Sequence, residues 1–386
     1  MHILIAPNAF KNSLSAGEVA SAIETGLITS QLKCTTECFP IADGGDGTGE
    51  LIVQKCGGEM MNVMVHDPLG RKINASFGLI ENGRTAIIEM ANASGIRLLK
   101  PDELNPLEAS SLGTGELILA ALDAGARKII LTLGGSATVD GGMGILSALG
   151  VQFLDEGNDP LTSAETLVDL AHIEINQVDQ RITDCEFVLL CDVDNPLLGE
   201  EGAASVFGPQ KGATPDEVLM LEESLTRLRA VALREHGLEM DVPHGGAAGG
   251  VSAGLHAFLG ASLVNGIDEF IRVTSFEAAA QKASLIITGE GSLDEQTLRG
   301  KGPMGVAVRA KALGTPVIGL AGKVPLNTPV EMKKYFQVLL SIGNGPGDVE
   351  SAMKQTRENL IRIGEQIGHL LSMGQGELRS QVVTVK

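Results

Sequence analysis

Short apolar runs and stretches of helical apolar spacing take turns along most of the chain. The run HILIAP reads as a buried strand, and a polar loop separates it from a helix beginning near Ser15, where Ala16, Val19, Ala20 and Ile23 recur at helical spacing. Ser15, with Glu18 three residues on, has the form of a capping box. The run TTECFPI, the loop ADGGDGTG and a helix over 50–55 follow. Over 60–89 the pattern changes to short alternating runs broken by DPLG and ENGR, which predicts antiparallel hairpins. Helix and strand signals return in GTGELILAALDAGARKIILTLGG, with a strand over 128–133 and a helix over 143–149. A strand CEFVLLCDV and a long helix over 216–236, ended by Gly237 as its C-cap, come next. The strand ASLIITGEG, a helix over 306–313, the runs TPVIGLAG and FQVLLSI and a final helix over 349–371 complete the pattern, and the last dozen residues read as a frayed tail. Strands alternating with helices predict an α/β fold with parallel sheet. A hairpin-rich middle between two βα-rich ends points to one domain inserted into another, with both chain ends sharing a domain.

Composition narrows the class. The 386 residues allow two or three domains, and 44% hydrophobic content supplies cores for them. Glycine, at 49 residues, clusters with Ala, Ser and Asp between apolar runs and forms no repeat, which suits strand–loop–helix corners. Aromatics at 3%, without Trp, exclude base stacking as a means of nucleic-acid recognition, and a net charge of −19 excludes a phosphate-backbone face. A small anionic substrate then needs local Lys or Arg. Five cysteines show no CxxC and no zinc-finger spacing, so they read as reduced structural thiols of a cytoplasmic protein. The start MHILIAPNAF lacks the basic region of a signal peptide, and no apolar stretch reaches the length of about 18 residues that a membrane span needs.

Carboxylates and glycines share the loops that follow apolar strands: Asp43 and Asp46 in ADGGDGTG, Asp140 in GGSATVDGG, Asp192 and Asp194 in CDVDNP, Glu290 and Asp294 in TGEGSLDEQ. In open parallel sheets such loops gather at the ligand-binding edge. Any one of them reads as an ordinary turn, and Asp140 reads equally well as a cap on the following helix. Together they need a cation, because close carboxylates repel. Basic residues stand in similar loops: Lys11 in PNAFKNSLSA, Arg71 in DPLGRK, Lys211 in GPQKGA and Lys301 in RGKGPMG. Carboxylates for a divalent ion, basic groups for an anion and glycine-rich backbone are what phosphoryl transfer requires. GxxxxGK[ST], GxGxxG at dinucleotide spacing and HExxH are all absent, and the seven histidines form no ligand-spaced pair.

In this order, APNAFKNSLSA, PIADGGDGTGE, LGTGELI, LGGSATVDGGMGILSALG, CDVDNPLLG, VFGPQKGA, GGAAGG, ITGEGSLDEQT and GKGPMGVA resemble the bacterial glycerate kinase family (type I, acting on D-glycerate) over nearly the whole chain. The resemblance implies two α/β domains: a flavodoxin-like one from both chain ends, 1–65 and 280–386, and an inserted mixed α/β domain, 66–279, with the active-site cleft between them. It implies ATP and Mg2+ as cofactors, D-glycerate as substrate and phosphoglycerate as product. The 2-phosphoglycerate isomer is favoured, although the sequence alone leaves the 2- and 3-hydroxyl open. Three positions depart from the family pattern: Asn8 stands where the first loop often has Asp, Val139 where Asn is frequent, and Ser292 where many relatives carry Arg.

Within that reading, Asp192 and Asp194 point the same way from an extended segment and are expected to do metal or base work. Asp192, Lys11 and Asp294 are the catalytic candidates, and Asp194 and Asp140 the metal candidates. Asp43, Asp46, Arg71, Ser136, Thr138 and Lys211 are assigned to substrate. Gly134, Gly135, Gly289, Glu290, Gly291 and Lys301 are assigned to ATP. The loops do not reveal which anion each one holds. Two alternatives remain, a kinase of another small hydroxy acid and a non-enzymatic sugar-acid binding protein. The partners are small molecules, with no nucleic acid and no membrane, and a homodimer is among the open oligomeric states.

Overall fold

The computed structural model describes residues 1–294, 297, 300–345 and 348–374, and the tail read from the sequence lies outside them. In chain order the strands are β1 (His2–Ile5), β2 (Thr35–Cys38), β3 (Glu59–His66), β4 (Lys72–Ile80) and β5 (Thr85–Glu89). Then come β6 (Lys128–Thr132), β7 (Gln152–Leu154), β8 (His172–Glu174) and β9 (Glu186–Cys191). The last are β10 (Ser262–Asn265), β11 (Leu285–Ser292), β12 (Val317–Lys323) and β13 (Val338–Ser341). The chain divides into two units, one of Met1–Asp43 with Phe270–Lys386 and one of Gly44–Glu269. Among the described residues no helix is long and apolar enough to cross a membrane.

The unit made by both chain ends holds a five-stranded parallel sheet in the order β13-β12-β11-β1-β2. Numbered within the unit this is the flavodoxin-like order 2-1-3-4-5, whose direction reverses between β1 and β11. Ile3, Ile5, Ile287 and Leu320 bury the sheet against Val19, Ile23, Leu360 and Ile367 of its helices. The helix Ala16–Thr29 starts at the expected capping box: Ser15 Oγ accepts from Glu18 N, and Glu18 returns the bond to Ser15 N. It lies so close to the helix Thr356–Gly374 that a Cβ on Gly26 would stand 2.1 Å from the carbonyl oxygen of Ile361.

The final helix differs from its sequence reading. It is two helices, Val349–Lys354 and Thr356–Gly374, parted at Gln355. Beside the break, the Met353 carbonyl accepts from the hydroxyls of Ser13 and Thr356.

The other unit holds a six-stranded mixed sheet, β10-β9-β6-β5-β4-β3, and a small β7–β8 pair. The alternating runs over 60–89 form the antiparallel part, β3 to β5, while β5, β6, β9 and β10 run parallel. The long helix is Pro215–His236, one residue earlier than its sequence signal because Pro215 takes the first helical position behind the Thr214–Glu217 capping box. It ends at Gly237 in the left-handed region, φ 67°.

Candidate active site

In the flavodoxin-like unit, several of the candidate side chains collect where the strand order reverses. Asn8 N donates to Gly289 O at 2.8 Å, tying the loop after β1 to the end of β11. The Asp43 carboxylate accepts from Asn8 Nδ2 at 3.0 Å and from Gly302 N at 3.2 Å, the first N–H of the helix Gly302–Leu313. Lys301 is the N-cap of that helix. Glu290 is buried and accepts from the Thr297 hydroxyl at 2.9 Å. Burial pushes its carboxyl up to about 7; Thr297 and Lys301 oppose the shift, and Asp43 and Asp294 add to it. Lys11, exposed, lies in the turn closed by the Phe10–Leu14 bridge, and its ammonium has no carboxylate partner among the described residues.

Gly289 has a packing reason to be glycine, since a Cβ there would meet Leu320 O at 2.1 Å, whereas Gly291 sits beside the Lys11 backbone.

Among the described residues no three His, Cys, Asp or Glu side chains are placed to hold a metal by themselves. Magnesium asks for less, one or two carboxylates completed by phosphate oxygens and water. Besides burial, Asp43 and Asp294 act on the Glu290 carboxyl as like charges and Lys301 as an opposite one, so the set suits a cation.

In the other unit the glycine loop after β6 is gripped from several sides. Gly134 N donates to Gly44 O, Ile96 N to Gly135 O and Ala137 N to Ser94 O. Gly135 has φ 72°, and a Cβ on it would lie 2.5 Å from Asp46 Oδ1. The buried Lys211 ammonium donates to Ser136 Oγ at 2.8 Å and to Thr138 O at 2.7 Å. Burial lowers its pKa to about 7, against the opposing charge of Asp140.

Asp140 is wholly buried and accepts four hydrogen bonds: from Ser111 N and Oγ, from Gly142 N and from Gly144 N. The last two lead the helix Met143–Ala148. Its carboxylate therefore serves as a cap and a loop anchor, with three of the four bonds on Oδ2 and one on Oδ1, an arrangement that needs no metal to satisfy it. Thr138 Oγ1, expected to meet ligand, is buried without a hydrogen-bond partner.

Asp192 and Asp194 follow β9, both exposed, and Asp194 pairs with His244 at 3.3 Å. Asp46 faces Arg97 at 3.7 Å. Arg71 is drawn into its hairpin turn, where Asp67 and Glu103 take its guanidinium. Seven of the sequence-read residues thus fall in the flavodoxin-like unit, Lys11, Asp43, Gly289, Glu290, Gly291, Asp294 and Lys301, and the remainder in the other. The ADGGDG loop divides, with Asp43 in one unit and Asp46 in the other.

A profile of the Glycerate kinase family matches residues 3–372. The chain belongs to this family. It is 41% identical over 377 residues to the glycerate kinase of Bacillus subtilis (strain 168), covering 97% of this chain and 99% of that one. It is also 41% identical over 376 residues to the glycerate 2-kinase of Escherichia coli (strain K12), with the same coverage. The crystal structure of a candidate glycerate kinase 2 from Salmonella typhimurium LT2 aligns with a TM-score of 0.84 at 42% identity, over 97% of this chain and 99% of the other. As a glycerate kinase family member the chain is an enzyme, a phosphotransferase.

Sequence reasoning missed Asn8 as a ligand of Asp43, Arg97 opposite Asp46, Ser111 under Asp140 and Thr297 on Glu290. Asn8 carries one signal, standing where the family pattern often has Asp. The other three carry no local signal.

Proposed function

We propose that this enzyme transfers the γ-phosphoryl group of ATP, with magnesium, to the 2-hydroxyl of D-glycerate, giving 2-phosphoglycerate and ADP. The bond from the γ-phosphorus to the ADP oxygen breaks, a bond to the glycerate O2 forms, and the hydroxyl proton passes to a carboxylate. The observation that carries this reading is the set Asn8, Asp43, Glu290, Asp294 and Lys301 at the strand-order reversal of a parallel sheet, where ligands of such folds bind. The 2-hydroxyl is favoured by the similarity to a glycerate 2-kinase.

One or two of Asp43, Glu290 and Asp294 would hold the metal together with phosphate oxygens, and it would supply positive charge against the phosphates. Lys11 and Lys301 meet the phosphate oxygens. Asp46 and Arg97, beside Gly135, offer the acceptor a hydrogen-bond acceptor for a hydroxyl and a cation for its carboxylate. Lys211 holds the glycine loop in shape for that contact. Asp192 is assigned the hydroxyl proton. Five cysteines without a disulfide fit a reducing cytoplasm.

Coupled ADP release with D-glycerate and MgATP, followed by NMR of the product, tests the whole reading. Phosphorus coupled to the C2 proton is expected. Coupling to the C3 protons overturns the regiochemistry, and no glycerate-dependent ADP release overturns the reaction.

A further inference from the structure

A cavity of about 280 Å3 opens at the carboxyl ends of β11 and β12, in the flavodoxin-like unit. Phe10, Ile342, Val349 and Met353 give it apolar walls, and Lys11 and Lys323 stand at it. Its volume is near the low end of small-molecule sites, and its lining, mostly apolar with a few polar groups, is of their kind. Three further observations point to a ligand. Val349 and Met353 are exposed large hydrophobic side chains, at 70% and 36%, on one six-residue helix. The ammonium groups of Lys11 and Lys323 have no carboxylate partner among the described residues of a chain with 48 acidic against 29 basic side chains. Asn359, a residue only 4% exposed, lines the cavity, and its amide makes no side-chain hydrogen bond among the described residues.

The proposed acceptor does not suit this space. Glycerate has a polar group on every carbon and would leave the apolar walls uncovered. A flat heteroaromatic base covers them, and an Asn amide offers one donor and one acceptor side by side, the pair that adenine matches on its edge. Lysines at the mouth then meet the phosphates. Gly291 lines the same cavity and follows Glu290 directly, so the chain itself leads from the cavity to the acidic set.

We propose that this cavity binds the adenine base of the nucleotide, with Asn359 reading the base edge and Lys11 and Lys323 holding phosphate oxygens. The proposal rests on the reading of ATP as phosphoryl donor and adds where and how the base is chosen.

Calorimetric titration with ADP, GDP and tripolyphosphate tests it on the wild type, Ala352→Phe and Asn359→Leu, each checked for a native melting transition. Ala352 is exposed on the short helix and lines the cavity, so a larger side chain fills the space without entering a core. Ala352→Phe is expected to weaken ADP at least about tenfold while tripolyphosphate stays within about twofold. Asn359→Leu is expected to weaken ADP by a similar factor and to erase the preference for ADP over GDP. ADP binding like wild type in a folded Ala352→Phe overturns the cavity assignment, whatever becomes of the second variant. If the wild type still phosphorylates glycerate in that case, the kinase reading stands without it. A wild type that binds no ADP overturns both. A wild type that binds ADP through the cavity but never phosphorylates glycerate overturns only the acceptor.

Discussion

Lys211 and Ser136, 75 residues apart in the chain, are joined by a 2.8 Å hydrogen bond from Nζ to Oγ. The bond closes the glycine loop from behind, and it places a cation where water does not reach. The pKa of Lys211 falls from 10.5 to about 7 mainly through burial. Between these two values the unfolded chain holds a proton that the folded chain has released. Stability therefore rises with pH across that window, by at most about 1.4 kcal/mol per pH unit from this group, and is independent of it below. Denaturant unfolding at pH 7, 8 and 9 checks this against Lys211→Met, whose stability is expected to lack this rise. Parallel pH profiles for the two proteins would show that the ammonium is not buried in solution.

Asp140 is expected to matter for folding and not for metal. Asp140→Asn sets an amide N–H₂ among four N–H and O–H donors, which should destabilise the protein by about 2–4 kcal/mol. The magnesium concentration giving half-maximal turnover should stay as it is. A variant of normal stability with sharply weakened magnesium dependence would return Asp140 to the metal.

These two residues also show how far the sequence could be read. The apolar runs and the caps at Ser15, Thr214 and Gly237 are local signals that the elements follow closely, whereas the helix read over 306–313 begins earlier, at Gly302. The carboxylate of a glycine loop looks the same whether it caps a helix or holds an ion. What decides for Asp140 is Ser111, 29 residues earlier, and what decides for Arg71 is Glu103. Beside the break at Gln355, the Met353 carbonyl accepts from a hydroxyl 340 residues away, that of Ser13. Arg97 and Asn359 stand in no motif, and only the folded chain shows that one faces Asp46 and the other a cavity.

Glu290 is held at a cost that magnesium is proposed to offset. Asp43 and Asp294 both push its carboxyl upward in a buried site, so Glu290→Gln should relieve repulsion while still accepting from Thr297. At pH 8 without nucleotide, the variant is expected to be about 1 kcal/mol more stable than wild type. Its kcat should fall by about a hundredfold or more. A melting curve and a coupled assay read the two effects separately. Full activity in the stabilised variant would take Glu290 out of the reaction.

Asp192 is the proposed acceptor of the glycerate proton, and the argument for it is its place in the sheet. It is exposed at the carboxyl end of β9, in the parallel part of its sheet, and therefore on the edge where ligands of such sheets bind. Its neighbour Cys191 is no competitor: burial, with the charge of Asp192 added, pushes that thiol up to about 12. Asp194 leans on His244 at 3.3 Å, and Asp140 is spent on its four donors. Asp192→Asn preserves shape and removes the base, so kcat should fall by about 10²–10⁴ while KM for glycerate and for ATP change little. The change lies outside the core and off any helix, so the melting temperature should hold within a few degrees. Equal loss in kcat and stability would mark a structural residue. Turnover close to wild type, with magnesium saturating, would mean that the proton leaves by another route.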